Sequence, residues 1–285
     1  MLSRTETLAL LQFYVALGLD EATEAAPIDR RRLDAPAPAA PAQEAHEIRA
    51  STRVSTPRDP APATPSATSS RPGPRAFDPQ QAVEAAERAA AACDDLAALE
   101  AAVRAFDGCA LKATAMNTVF ADGSPDAEVM FLGEAPGADE DRLGKPFVGA
   151  SGKLLDRMLE AIGLGREGVY ITNVVFWRPP GNRTPTPVEL AVCLPFVRRH
   201  IALKRPKLVI LAGATAAQTV LGSELTIGRL RHKWHDLAVD GAAETAPAIA
   251  TYHPSFLLRT PEKKRDAWMD FLRLRVKLRE LLILT

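Results

Sequence analysis

Three polar side chains stand where apolar runs give way to polar segments. Glu134 follows EVMFLG (128–133), Asn173 lies near the end of VYITNVV (169–175), and His253 follows APAIATY (246–252). An aromatic ring, Phe147, sits in GKPFVG downstream of the first run. A flat ring, an amide that both donates and accepts, and a hydrogen-bonding imidazole are the parts of a pocket that holds an extruded nucleobase by its face and its edge. Each residue alone has a plainer reading. Phe147 fits a core, Asn173 a loop carbonyl's partner, His253 a packed ring. Their joint placement at strand ends carries the chemical reading.

The elements that must position them follow from the hydrophobic pattern. Four short apolar runs, the three above and KLVILAG (207–213), alternate with helical patterns at 151–162, at 187–202 and in ATAAQTVLG after the third run. Continuous apolar runs separated by helices predict a parallel sheet buried on both faces. The expected fold is a three-layer α/β/α sandwich with a central, mainly parallel four-stranded sheet over residues 81–285. Ligands of such sheets bind outside the carboxyl ends of the strands, so Glu134 and His253 are expected to face one crevice.

The rest of the chain is organised differently. Residues 1–26 place Leu8, Leu11, Val15 and Leu19 at helical spacing and predict one amphipathic helix, available to a protein partner. Residues 27–80 are rich in Pro, Ala, Ser, Thr and Arg and predict a disordered linker, because they bury too little apolar surface to offset ordering entropy. No apolar run approaches a membrane span, no secretory signal pattern opens the chain, and the three cysteines do not make a disulfide framework; a cytoplasmic monomer is expected. Net charge is zero, yet residues 81–197 hold 10 Lys and Arg against 17 Asp and Glu, while 198–285 hold 16 against 8. The basic half suits a polyanion such as DNA. GKPFVGASGK contains no phosphate-loop pattern, and GEAPGADED is too acidic to cradle a triphosphate without metal.

Taken together, GEAPGADED with GKPFVG, TNVVFWRPPGNRTP and HPSFLLR resemble the family-four uracil-DNA glycosylases over roughly residues 106–273. The resemblance implies an N-glycosyl hydrolase that excises uracil from DNA and leaves an abasic site for repair. It implies that the backbone at Gly133, Glu134 and Ala135 and the ring of Phe147 enclose uracil, and that Asn173 reads its O4 and N3 edge. His253 is implied to hydrogen-bond O2 as charge builds on the departing base, and Glu134 to position water or stabilise the cationic sugar. Leu257, Leu258 and Arg259 resemble a loop that wedges into the duplex, and Lys263 and Lys264 are expected to meet phosphates.

The chain departs from that family at the four cysteines that hold a [4Fe-4S] cluster in most members. Cys109 and Cys193 occupy the first and last places, but Lys112 stands at the second and Trp177 at the third. Two thiolates do not make the four-cysteine set, so no cofactor is expected, with Trp177 packing where a cluster sits in relatives. A related branch carries a His on a basic insertion after the second strand; FWRPPGNRTP has none. Two other classes compete with the enzyme: a non-catalytic DNA-binding module of the same fold, and a hydrolase of small nucleotides.

Overall fold

The computed structural model describes residues 78–241, 245–281 and 283. The expected N-terminal helix, and the expected linker up to residue 77, lie outside these residues. Residues 78–80, assigned to the linker, instead begin a helix. Asp78 caps α1 (Pro79–Ala91) by accepting from the Gln80 amide, and Pro79 takes the first helical position, where its missing N–H is not needed. After α2 (Leu96–Ala105) comes a short strand, β1 (Ala121–Gly123), and then the first buried strand, β2 (Val129–Gly133).

The chain continues through α3 (Ala138–Leu143), α4 (Ala150–Glu160), β3 (Val169–Asn173), α5 (Pro187–Lys204), β4 (Leu208–Ala212) and α6 (Ala214–Leu221). It closes with α7 (Ile227–Leu230), β5 (Trp234–Ala238), β6 (Thr245–Thr251), α8 (Pro254–Arg259) and α9 (Lys264–Glu280). The sheet order is β1-β3-β2-β4-β6-β5. Strands β3, β2, β4 and β6 are parallel neighbours, whereas β1 and β5 pair antiparallel at the two edges. The four central strands match the expected runs within a residue or two. The edge strands were not foreseen, because β1 is three residues of ADG and β5 (WHDLA) has no sustained apolar run.

Side chains alternate across the sheet and fill two cores. Met130 and Leu132 join Val209, Leu211, Ala248 and Ala250 under α1, α2, α5 and α6. Val129 and Phe131 join Ile171, Ile210 and Ile249 under α4 and α9. Helices on both faces explain why the strands read as continuous apolar runs. Among the parallel strands, the chain goes from β2 to one neighbour, β3, and returns to the other, β4. The order therefore reverses beside β2, the switch point where doubly wound sheets bind ligands. Among the described residues no helix is long and apolar enough to cross a membrane.

Candidate active site

A cleft of about 800 Å³ opens at that switch point and is lined by Glu134, Ala135, Phe147, Asn173 and His253, among others. The segments leaving β2 and β3 are tied together, since the Val174 and Val175 amides donate to the carbonyls of Gly133 (3.0 Å) and Glu134 (3.1 Å). Glu140 fixes the other wall. Buried at the start of α3, its carboxylate accepts from the amides of Gly137 (3.1 Å), Val148 and Gly149 (both 2.9 Å), stapling GEAPG to PFVG. Its neighbour Asp141 accepts from the Met116 (2.8 Å) and Asn117 (3.0 Å) amides. Much of the acidity of GADED thus serves loop architecture.

Phe147 takes a left-handed backbone conformation, φ 53°, that a bulky residue adopts only when its surroundings enforce it. Arg166 enforces it: the guanidinium donates to the Pro146 (2.8 Å) and Phe147 (3.0 Å) carbonyls and is itself held by Asp122 and Asp156. The ring meets Phe131 edge-on, with centroids 5.2 Å apart, and lies 5.4 Å from the His253 ring. Gly133 does not itself line the cleft, but its lack of a side chain admits both neighbours. A methyl group there would fall 2.4 Å from Asn173 Oδ1 and 2.5 Å from Phe147 Cζ. Gly133→Ala is therefore expected to displace ring and amide together and lower turnover at this cleft about 10²-fold, the cost of an ångström-scale misplacement. Overpacking of this kind costs about 1–3 kcal/mol, so thermal melting should fall modestly with the fold kept; an active variant would show that the two side chains are not jointly required.

Asn173 is buried at the end of β3, and its Oδ1 has no hydrogen-bond partner among the described residues. A buried amide oxygen left unpaired is costly, so it marks a place where a ligand N–H is expected. His253, the N-cap of α8, accepts the Ser255 amide at Nδ1 (3.1 Å), with Ser255 Oγ 2.8 Å from the same nitrogen. An accepting Nδ1 leaves the proton of a neutral ring on Nε2. Burial, and secondarily the charge of Arg259, push the ring's pKa down to about 4. The cleft thus presents a neutral N–H donor. Glu134 adds a carboxylate to the lining that makes no hydrogen bond or ion pair among the described residues.

A family model described as the uracil DNA glycosylase superfamily matches residues 120–273, which include Glu134, Phe147, Asn173 and His253. The chain belongs to the uracil DNA glycosylase superfamily. It is 42% identical over 167 residues to a type-4 uracil-DNA glycosylase of Archaeoglobus fulgidus, covering 57% of this chain and 83% of that one. A type-4 uracil-DNA glycosylase of Thermotoga maritima is 40% identical over 158 residues (55% of this chain, 80% of the relative). A type-5 uracil-DNA glycosylase of Pyrobaculum aerophilum is 32% identical over 148 residues (47% and 63%).

Two features of this superfamily member depart from the residues expected to meet DNA. HPSFLLR forms a short helix, not a loop, and within it Leu257 is 0% exposed and packed in the core under α4 and α9. Of Leu257, Leu258 and Arg259, the last two, with Leu258 45% exposed, face outward at the cleft. Lys264 is likewise withdrawn, 7% exposed, with burial and then Arg157 lowering its pKa. Lys263 stays half-exposed, 3.3 Å from Asp266. These two corrections have one cause: at helical spacing a run such as Leu-Leu-Arg or Glu-Lys-Lys turns successive residues to different sides.

The positions of the cluster ligands also differ from the type the resemblance implies. Cys109 and Cys193 are buried, and the influence of each thiol on the other lowers the pKa of Cys109 and raises that of Cys193. The Lys112 ammonium turns away to Asp107 (2.7 Å) and the Arg104 carbonyl (2.6 Å). Trp177 is buried against the same core and donates to Thr118 Oγ1 (3.1 Å). Among the described residues no three His, Cys, Asp or Glu side chains are grouped to hold a metal. This donor set does not fit a four-thiolate cluster.

Sequence reasoning missed Glu140, Arg166 and Ser255. Glu140 had a detectable signal, an acidic residue three positions after a helix-starting Gly; Arg166 is distant in sequence from the carbonyls it holds and had none.

Proposed function

We propose that this chain is a uracil-DNA glycosylase whose base pocket is built by Phe147, Asn173 and His253 at the switch point of the sheet. The observation that carries the reading is the unpaired, buried Asn173 Oδ1 beside a fixed aromatic ring and a neutral imidazole donor. Uracil N3–H suits that oxygen, and O4 suits the amide N–H₂. Breaking the bond between C1′ and N1 sends its electrons into the uracil ring, with charge collecting at O2. Nε2–H of His253 hydrogen-bonds that oxygen, an oxyanion type of stabilisation. Water supplies the oxygen that bonds to C1′, and its proton ends on the released base. The Glu134 carboxylate serves the cationic sugar or the attacking water. Leu258, Arg259 and Lys263 face DNA. All these groups come from one chain, which supports action as a monomer; the amphipathic pattern of residues 1–26 suits a protein partner.

The names of the relatives support the same substrate. A comparison of a uracil-containing oligonucleotide with free deoxyuridine monophosphate separates the three readings. The glycosylase releases uracil from the oligonucleotide and not from the nucleotide; the reverse preference marks a nucleotide hydrolase, and binding without release a non-catalytic module.

We further propose that the enzyme works without an iron-sulfur cluster. Protein purified without exposure to air should contain no stoichiometric iron and no broad absorbance near about 400 nm, while excising uracil at full rate. About four irons per chain, with activity lost on their removal, would overturn this.

A further inference from the structure

The cleft continues past His253 along α8, beyond what one pyrimidine ring needs. Phe256 lies three residues after the His253 N-cap, a spacing that puts the two on one side of the helix about 5–6 Å apart. Its half-buried ring lines the cleft and packs on Tyr252, with centroids 5.0 Å apart and an interplanar angle of 36°. Behind Tyr252 stands the Arg231 guanidinium, 3.9 Å from the ring centroid. Arg231 is buried and held by Asp270 Oδ2 (2.6 Å) and the Asp266 carbonyl (2.5 Å). A row of cation, phenol and phenyl thus runs from the core to the cleft, and the uracil pocket uses none of it.

We propose that the Phe256–Tyr252 pair is a second stacking site that takes the nucleobase next to the uracil in the same strand. This rests on the uracil-excision reading. Extruding a base strips its neighbour of one stacking partner, and a fixed ring one helical turn from His253 replaces it. An aromatic ring accepts any base by its π-face and confers capture without sequence preference. Exposed Leu258 and Arg259 follow on the same short helix, so the subsite is continuous with the residues that face DNA. Arg231, held by the Asp270 carboxylate and the Asp266 carbonyl, keeps the platform rigid, which lowers the entropy lost on binding.

The test uses single-stranded oligonucleotides in which uracil is flanked by ordinary bases or by an abasic spacer on the 5′ side, the 3′ side or both. Phe256→Leu keeps an apolar filling but removes the flat ring, and Phe256→Trp restores one. In single-turnover assays Phe256→Leu should raise the half-saturating concentration for the base-flanked substrate about tenfold, the loss expected for one stacked base. It should have no effect once a spacer replaces the neighbour on the side concerned, and Phe256→Trp should return the wild-type value. Equal weakening on every substrate, or none on any, overturns the proposal. If the wild-type enzyme releases no uracil from any of them, the excision reading itself has failed.

Discussion

Asn173→Asp is expected to turn a uracil-selective enzyme into one that also releases cytosine. In the proposed pocket the buried Oδ1, which has no partner among the described residues, accepts from N3–H and the amide donates to O4. Cytosine reverses both positions, offering an amino group and an unprotonated N3, and a site built for one pattern rejects the other by about 10⁴ or more. An Asp in this buried place is protonated, because burial disfavours the carboxylate. Its O–H then donates to cytosine N3 while its carbonyl accepts from the amino group, and it serves uracil as well. The ratio of single-turnover rates for matched uracil and cytosine oligonucleotides should fall at least about 10²-fold, a small part of what such a site holds. A variant that loses uracil release and gains none for cytosine contradicts the assigned edge contacts.

His253→Ala is expected to lose about 10²–10³ in the rate of the chemical step, as for removal of one oxyanion donor. Affinity for uracil-containing DNA should stay near normal, since the hydrogen bond strengthens only as charge reaches O2. The pH profile adds a sign. A ring whose pKa is pushed down to about 4 stays neutral as pH falls through the usual histidine range near 6.5. The rate should therefore show no loss from this group there, and should fall only near pH 4, where a protonated Nδ1 meets the Ser255 amide donor-to-donor. Loss of activity with a midpoint near 6.5 that disappears in His253→Ala would mean that the ring works in another state.

The parallel strands, and the placement of Asn173 and His253 at their carboxyl ends beside one cleft, were legible because they depend on local pattern. An apolar run shows where a strand ends, and the segments that leave the carboxyl ends of β2 and β6 enter the crevice. What escaped depended on partners distant in sequence. β1 pairs Ala121 with Thr172, and nothing within ADG announces a strand. Arg166 holds carbonyls 19 and 20 residues away, so its role exists only in the folded chain. Leu257 and Leu258 are adjacent and chemically identical, yet one fills the core and the other faces the cleft. Only the helical phase of α8 tells them apart.

Phe147, Asn173 and His253 are proposed to form the base pocket from which uracil is released. The most direct test is a single-turnover measurement of free uracil and of the abasic strand, with wild-type enzyme in excess over a single-stranded oligonucleotide carrying one uracil. Equal amounts of free uracil and abasic strand, at a rate that drops about 10²–10³-fold in His253→Ala, are the predicted result. Tight binding of the oligonucleotide with its uracil left in place, or a rate unchanged by the substitution, would contradict it.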